Sequence, residues 1–130
     1  MATWKEVQER IRRDYALDVD SQDEFALTLE RRGAAKTREQ RAMVRRYVAW
    51  GREMLEIRSA FAELGNLDPV TLLQESLKLP VGSIALHGRY LVVVTKVPLT
   101  DVSVDGIVFL LTRVAMLADV LEERGGEDRF

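Results

Sequence analysis

The chain contains no cysteine, a single histidine and three prolines. Without cysteine there is no disulfide, no thiolate nucleophile and no cysteine-ligated zinc. With His87 alone, a two-histidine metal site and a histidine relay are excluded as well. No glycine-rich phosphate loop occurs, and no apolar run approaches the roughly 18 residues of a membrane-spanning helix. Residues 1–15 are too charged for a secretory signal, so a cytoplasmic protein without membrane association is expected. No cofactor and no metal are implied, and a non-enzymatic function is expected.

What remains is 130 residues, 47% hydrophobic and 31% charged, the balance of one ordinary domain with its own core. Charge is unevenly spread. Residues 31–58 hold nine basic side chains against three acids, a local +6 that leaves −8 elsewhere in a chain of net −2. Such asymmetry can steer an anionic partner.

The opening segment reads as an amphipathic helix. Thr3 and Glu6 form a capping box, and Trp4, Val7, Ile11 and Tyr15 recur at helical spacing. Asp18, Asp20 and Asp23 then make an acidic connector. Phe25, Leu27 and Leu29 alternate with polar residues, as in a strand with one buried face. Arg31–Lys36, with Gly33, reads as a loop. Residues 38–64 fit two patterns. As a helix they place Val44, Tyr47, Val48, Leu55 and Phe61 roughly on one side, and local propensity leans that way. As a hairpin they turn near Trp50-Gly51-Arg52, with Leu55, Ile57 and Phe61 on the face of Val44 and Val48, and Arg45 beside Glu56 on the other.

Asp68-Pro69 starts a helix carrying Val70, Leu72, Leu73 and Leu77, bounded by Pro80. A hairpin follows, its turn expected at His87-Gly88, with Leu86 opposite Arg89 and Ile84 opposite Leu91. One of its faces shows Ile84, Leu86, Leu91 and Val93; the other shows Ala85, Tyr90, Val92 and Val94. Both are apolar, and one helix layer covers only one, so the second is expected to meet a partner, a subunit or a ligand. Ser103 caps a last helix to about Glu123, whose apolar stripe is widened by Phe109, Leu110, Met116 and Leu117. Gly125-Gly126 ends it, so residues 1–124 are read as one domain and 125–130 as a flexible tail.

His87 reads as a turn residue rather than a ligand or base. The acidic run around Asp20 lacks the glycine and terminal acid of a calcium loop. Asp119, Glu122 and Glu123 share a helix face but stand near no nucleophile or base, so they read as a polar helix end. The basic cluster, centred on Arg41, Arg45, Arg46, Arg52 and Arg58, is a solvated strand face, a binding face for an acidic polypeptide, or a nucleic-acid surface with Tyr47 and Trp50 available for stacking.

From Arg38 onward the segments Arg38-Glu-Gln40-Arg-Ala-Met-Val44, Leu55-Glu-Ile57-Arg-Ser59, Asp68-Pro69…Leu72-Leu73, Gly82-Ser-Ile-Ala-Leu86, Val97-Pro-Leu99 and Ala118-Asp119-Val-Leu121-Glu122 stand in order over about 90 residues. This stretch resembles the YbjN-type domain, whose fold is similar to class I type III secretion chaperones. The resemblance implies an α+β fold of order α-β-β-β-α-β-β-α: an antiparallel five-stranded sheet with helices on one face. It makes residues 40–49 and 53–63 strands, tertiary pairing overriding a weak local preference. It further implies a homodimer that binds a polypeptide segment, without catalytic residues to carry over and without implying secretion.

The expected function is therefore a chaperone-like adaptor acting by strand addition with pockets for alternate side chains. Tyr90, Val92, Val94, Phe109 and Met116 are expected to form its partner or dimer face. The alternative is a regulatory domain that binds a folded protein through the arginine face. Nucleic-acid binding is the third reading.

Overall fold

The computed structural model describes residues 2–33 and 35–125. Helix α1 (Trp4–Asp14) is followed by strands β1 (Leu17–Asp20), β2 (Glu24–Arg32), β3 (Thr37–Ala49) and β4 (Arg52–Glu63). Helix α2 (Pro69–Lys78), strands β5 (Ser83–His87) and β6 (Tyr90–Pro98), a 3₁₀ turn at Leu99–Asp101 and helix α3 (Val104–Arg124) complete the chain. All strands are antiparallel in one open sheet of order β1-β2-β3-β4-β6-β5. No helix among the described residues is long and apolar enough to cross a membrane.

The mixed α+β architecture is as expected, but the sheet has six strands rather than five, in the order α-β-β-β-β-α-β-β-α. The added strand is Leu17–Asp20, inside the expected acidic connector. Its Leu-Asp-Val-Asp alternation is only four residues long, and the β2 edge completes it: Leu17 pairs with Leu27 and Asp20 with Phe25. Its acids have separate partners. Asp18 accepts from the Thr28 hydroxyl at 2.8 Å, and Asp20 takes two hydrogen bonds from Arg12. Arg31 and Arg32 also belong to a strand rather than to the expected loop, because they pair with Arg38 and Thr37. The expected tail at 125–130 lies, beyond Gly125, outside the described residues.

The helix starts follow local chemistry. The Thr3 hydroxyl accepts from the Glu6 amide, the Asp68 carboxylate from Val70, and the Ser103 hydroxyl from Gly106, each satisfying an amide without a partner inside its helix. Residues 38–64 form the hairpin, with Ala49 opposite Arg52 and Arg45 opposite Glu56. Trp50 and Gly51 turn the chain with φ of 52° and 70°, the double positive φ of a type I′ turn. At the β5–β6 hairpin the turn lies one residue later than expected. His87 pairs with Tyr90, Leu86 with Leu91 and Ile84 with Val93. Gly88 at φ 62° takes the first central position of the turn, which favours glycine over histidine. The register moves by two residues, so the face assignment is unchanged.

The core lies between one sheet face and the helices. Phe25 and Leu27 of β2, Ala42 and Val44 of β3, Leu55 and Ile57 of β4, and Leu91 and Val93 of β6 meet Val7 and Ile11 of α1 and Ile107, Leu111, Val114 and Ala118 of α3. Trp4 stacks on Phe25 at 5.4 Å between ring centroids. Helix α2 joins this side through its Leu72 flank, and its Ser76 hydroxyl accepts from the Ile84 amide at 2.8 Å. Its Val70, Leu73 and Leu77 point to solvent, an apolar stripe at spacings of three and four. Among the described residues, no helix is placed over the opposite sheet face.

Candidate polypeptide-binding site

Strand β1 is shorter than its neighbour, and this exposes backbone. Its pairing ends at Leu17↔Leu27, whereas β2 runs on to Arg32. Among the described residues no strand pairs with the outer edge of Thr28–Arg32. An edge of this kind carries outward amides and carbonyls that a further strand can join.

Beside this edge, beneath α3, lies a cleft of about 650 Å³ lined by Tyr15, Leu29, Gln40, Ala115, Met116 and Asp119, among others. Leu29, Ala115 and Met116 supply apolar wall. Gln40 is buried and has its amide nitrogen engaged by Ser59 Oγ at 2.7 Å and the Ala60 carbonyl at 2.6 Å. Its Oε1 is a buried acceptor with no hydrogen-bond partner among the described residues. A buried acceptor of this kind is uncommon.

One end of the cleft is closed by an ionic cluster absent from the expected polar helix end. Asp119 and Glu122 are buried, not exposed, because strand pairing sets Arg31 and Arg38 side by side beneath the last turns of α3. Arg31 reaches Asp119 at 2.6 Å and Glu123 at 2.8 Å; Arg38 reaches Asp119 at 3.0 Å and Glu122 at 3.2 Å. The hydrogen bonds to Glu123 and then Asp119 hold the Arg31 guanidinium above its ordinary pKa. The carboxylates are thus clamps between sheet and helix.

The uncovered sheet face is a second surface. Tyr90, Val92 and Val94 belong to it, with Met43 and Ala60 beside them. Val92 is nonetheless 4% exposed, screened by its neighbours. Phe109 and Met116 are not on this face. They lie on α3 across the sheet, Met116 in the cleft wall and Phe109 exposed under the Arg113 guanidinium at 5.3 Å. The five-arginine cluster divides likewise. Arg41, Arg45 and Arg58 occupy the uncovered face. Arg46 alternates to the helix side and meets Asp23 at 3.6 Å, and Arg52 sits at the hairpin end against Asp101 at 3.2 Å. Strand alternation separates Arg45 from Arg46 in any sheet.

At the centre of the uncovered face, buried Glu56 meets Arg45 at 3.3 Å, Lys96 at 3.7 Å and Arg58. Burial works to raise its carboxyl, but the hydrogen bonds from Arg45 and Arg58 outweigh that and hold it below the ordinary glutamate value. Cleft-lining residues that sequence reasoning did not place in a site are Leu29, Gln40 and Ala115. The only signal for them is Gln40, a polar residue at an inward position of β3.

No protein-family model matches the chain, and a search of curated proteins finds no match.

Proposed function

We propose that the chain is a non-enzymatic, chaperone-like adaptor that takes up an extended polypeptide segment as an added strand on the Thr28–Arg32 edge of β2. The observation that carries this is the free edge running beside a cleft with a buried, unsatisfied acceptor, Gln40 Oε1. Backbone pairing supplies affinity in such binding, and pockets for alternate side chains supply selectivity. The cleft offers Leu29, Ala115 and Met116 to an apolar side chain, with Gln40 buried in its wall. The reading agrees with the resemblance to YbjN-type domains.

The adaptor acts as a homodimer, with the contact on α2. Val70, Leu73 and Leu77 form a compact exposed apolar stripe there, with exposed Leu86 on the neighbouring strand β5. An apolar stripe pairs with its own copy without charge cost.

The test is hydrogen–deuterium exchange with a permanently unfolded test protein. Exchange should slow at Thr28–Arg32, and Met116→Gln should weaken binding about tenfold by placing an amide in the apolar wall. Unchanged exchange along β2 at saturating client would overturn the strand-addition reading.

A further inference from the structure

We infer that the uncovered sheet face is a second docking site, for an acidic-and-apolar peptide segment of a partner protein, anchored by Arg41. This deepens the reading of the chain as a polypeptide-binding module and rests on it, but uses residues on the far side of the sheet.

A depression of about 380 Å³ crosses β3, β4, β6 and the end of β5, lined by Arg41, Met43, Arg58, Ala60, Tyr90 and Val92, with His87 at its rim. Met43, Ala60 and Val92 make the floor apolar. The cations around it differ in how they are engaged. Arg45, Arg58 and Lys96 converge on the single Glu56 carboxylate. Arg41, exposed on β3, has no ion pair or hydrogen bond from its side chain among the described residues. One unengaged guanidinium beside an apolar floor fits one carboxylate next to an apolar side chain, because guanidinium binds carboxylate through paired N–H donors.

The face is less suited to the other occupants. A second copy seated on the depression itself would bring Arg41 and Arg58 against their own copies. A nucleic-acid strand needs a row of free cations and open ring faces. Here Tyr47 lies under the Arg45 guanidinium at 4.7 Å and Tyr90 under that of Arg89 at 5.2 Å. With Arg41 as the one unengaged cation of this depression, few counterions would be released on phosphate binding.

The experiment is a two-dimensional NMR titration of the full chain with a capped peptide alternating Glu and Leu. Companion titrations use a Gln/Leu peptide, a Lys/Leu peptide and duplex DNA. The Glu/Leu peptide should shift the amides of Arg41, Met43, Ala60 and Val92 and leave Leu29, Ala115 and Met116 in place. Arg41→Gln, an exposed change that leaves the Glu56 cluster intact, should weaken binding about tenfold. Absence of shifts on this face, equal binding of the Gln/Leu or Lys/Leu peptide, tighter binding of DNA, or unaltered affinity in Arg41→Gln would each overturn the inference. Shifts confined to the β2-edge cleft would overturn it while leaving strand addition standing. Loss of client protection along β2 with shifts on this face would do the reverse.

Discussion

Arg38 donates its Nε–H to Asp119 at 3.0 Å, joining β3 to α3 across 81 residues of sequence inside the protein. The same guanidinium also reaches Glu122, so one cation serves two buried acids. Removing one partner of a buried ion pair leaves charge in the interior and costs about 3–5 kcal/mol. Arg38→Met should therefore lower the urea midpoint severely. Arg12→Met, which breaks an exposed pair with Asp20, should leave the midpoint almost unchanged. Comparable losses in the two variants would show that the internal cluster holds nothing together.

Acid sensitivity should be traceable to Glu56. Its folded carboxyl titrates below the ordinary glutamate value of 4.5, because the Arg45 and Arg58 hydrogen bonds outweigh the effect of burial. A depressed folded pKa contributes stability above the unfolded pKa and loses it as pH falls through the folded value. Unfolding free energy should thus decline below about pH 4.5, and the decline should be smaller in Glu56→Gln. Urea titrations of both proteins at neutral and acid pH check this; an identical decline would assign the effect to other carboxylates.

Trp50 is 95% exposed at the tip of the β3–β4 hairpin and has φ of 52°. A bulky L-residue in the left-handed region costs about 1–2 kcal/mol, a cost that asparagine largely avoids. Trp50→Asn should stabilise the chain by about 1 kcal/mol, read as a higher melting temperature. A lower melting temperature would mean that the indole makes contacts that outweigh its backbone strain.

The α2 stripe predicts assembly. Leu73→Glu should convert a dimer into a 14.8 kDa monomer with little change in the melting of the protomer. Leu72→Glu, whose side chain packs against the core, should unfold it. Light scattering coupled to size exclusion distinguishes these outcomes. A wild-type protein that is monomeric at high micromolar concentration would remove the dimer proposal.

Elements whose signals are local are legible in the sequence. Thr3, Asp68 and Ser103 mark helix starts because a short side-chain oxygen there satisfies an otherwise unpaired amide. The alternation of Phe25, Leu27 and Leu29, and the parity of Val92 against Val93, follow from the two-residue repeat of a strand. Even the division of Arg45 from Arg46 is readable that way. What only the tertiary structure decided depends on partners distant in the chain. Leu17–Asp20 becomes a strand because β2 offers it an edge, and a four-residue alternation carries too little signal alone. Asp119 and Glu122 become interior groups because β2 and β3 place Arg31 and Arg38 under α3. The free edge at Thr28–Arg32 arises from the unequal lengths of two paired strands, a relation between segments that neither segment encodes by itself.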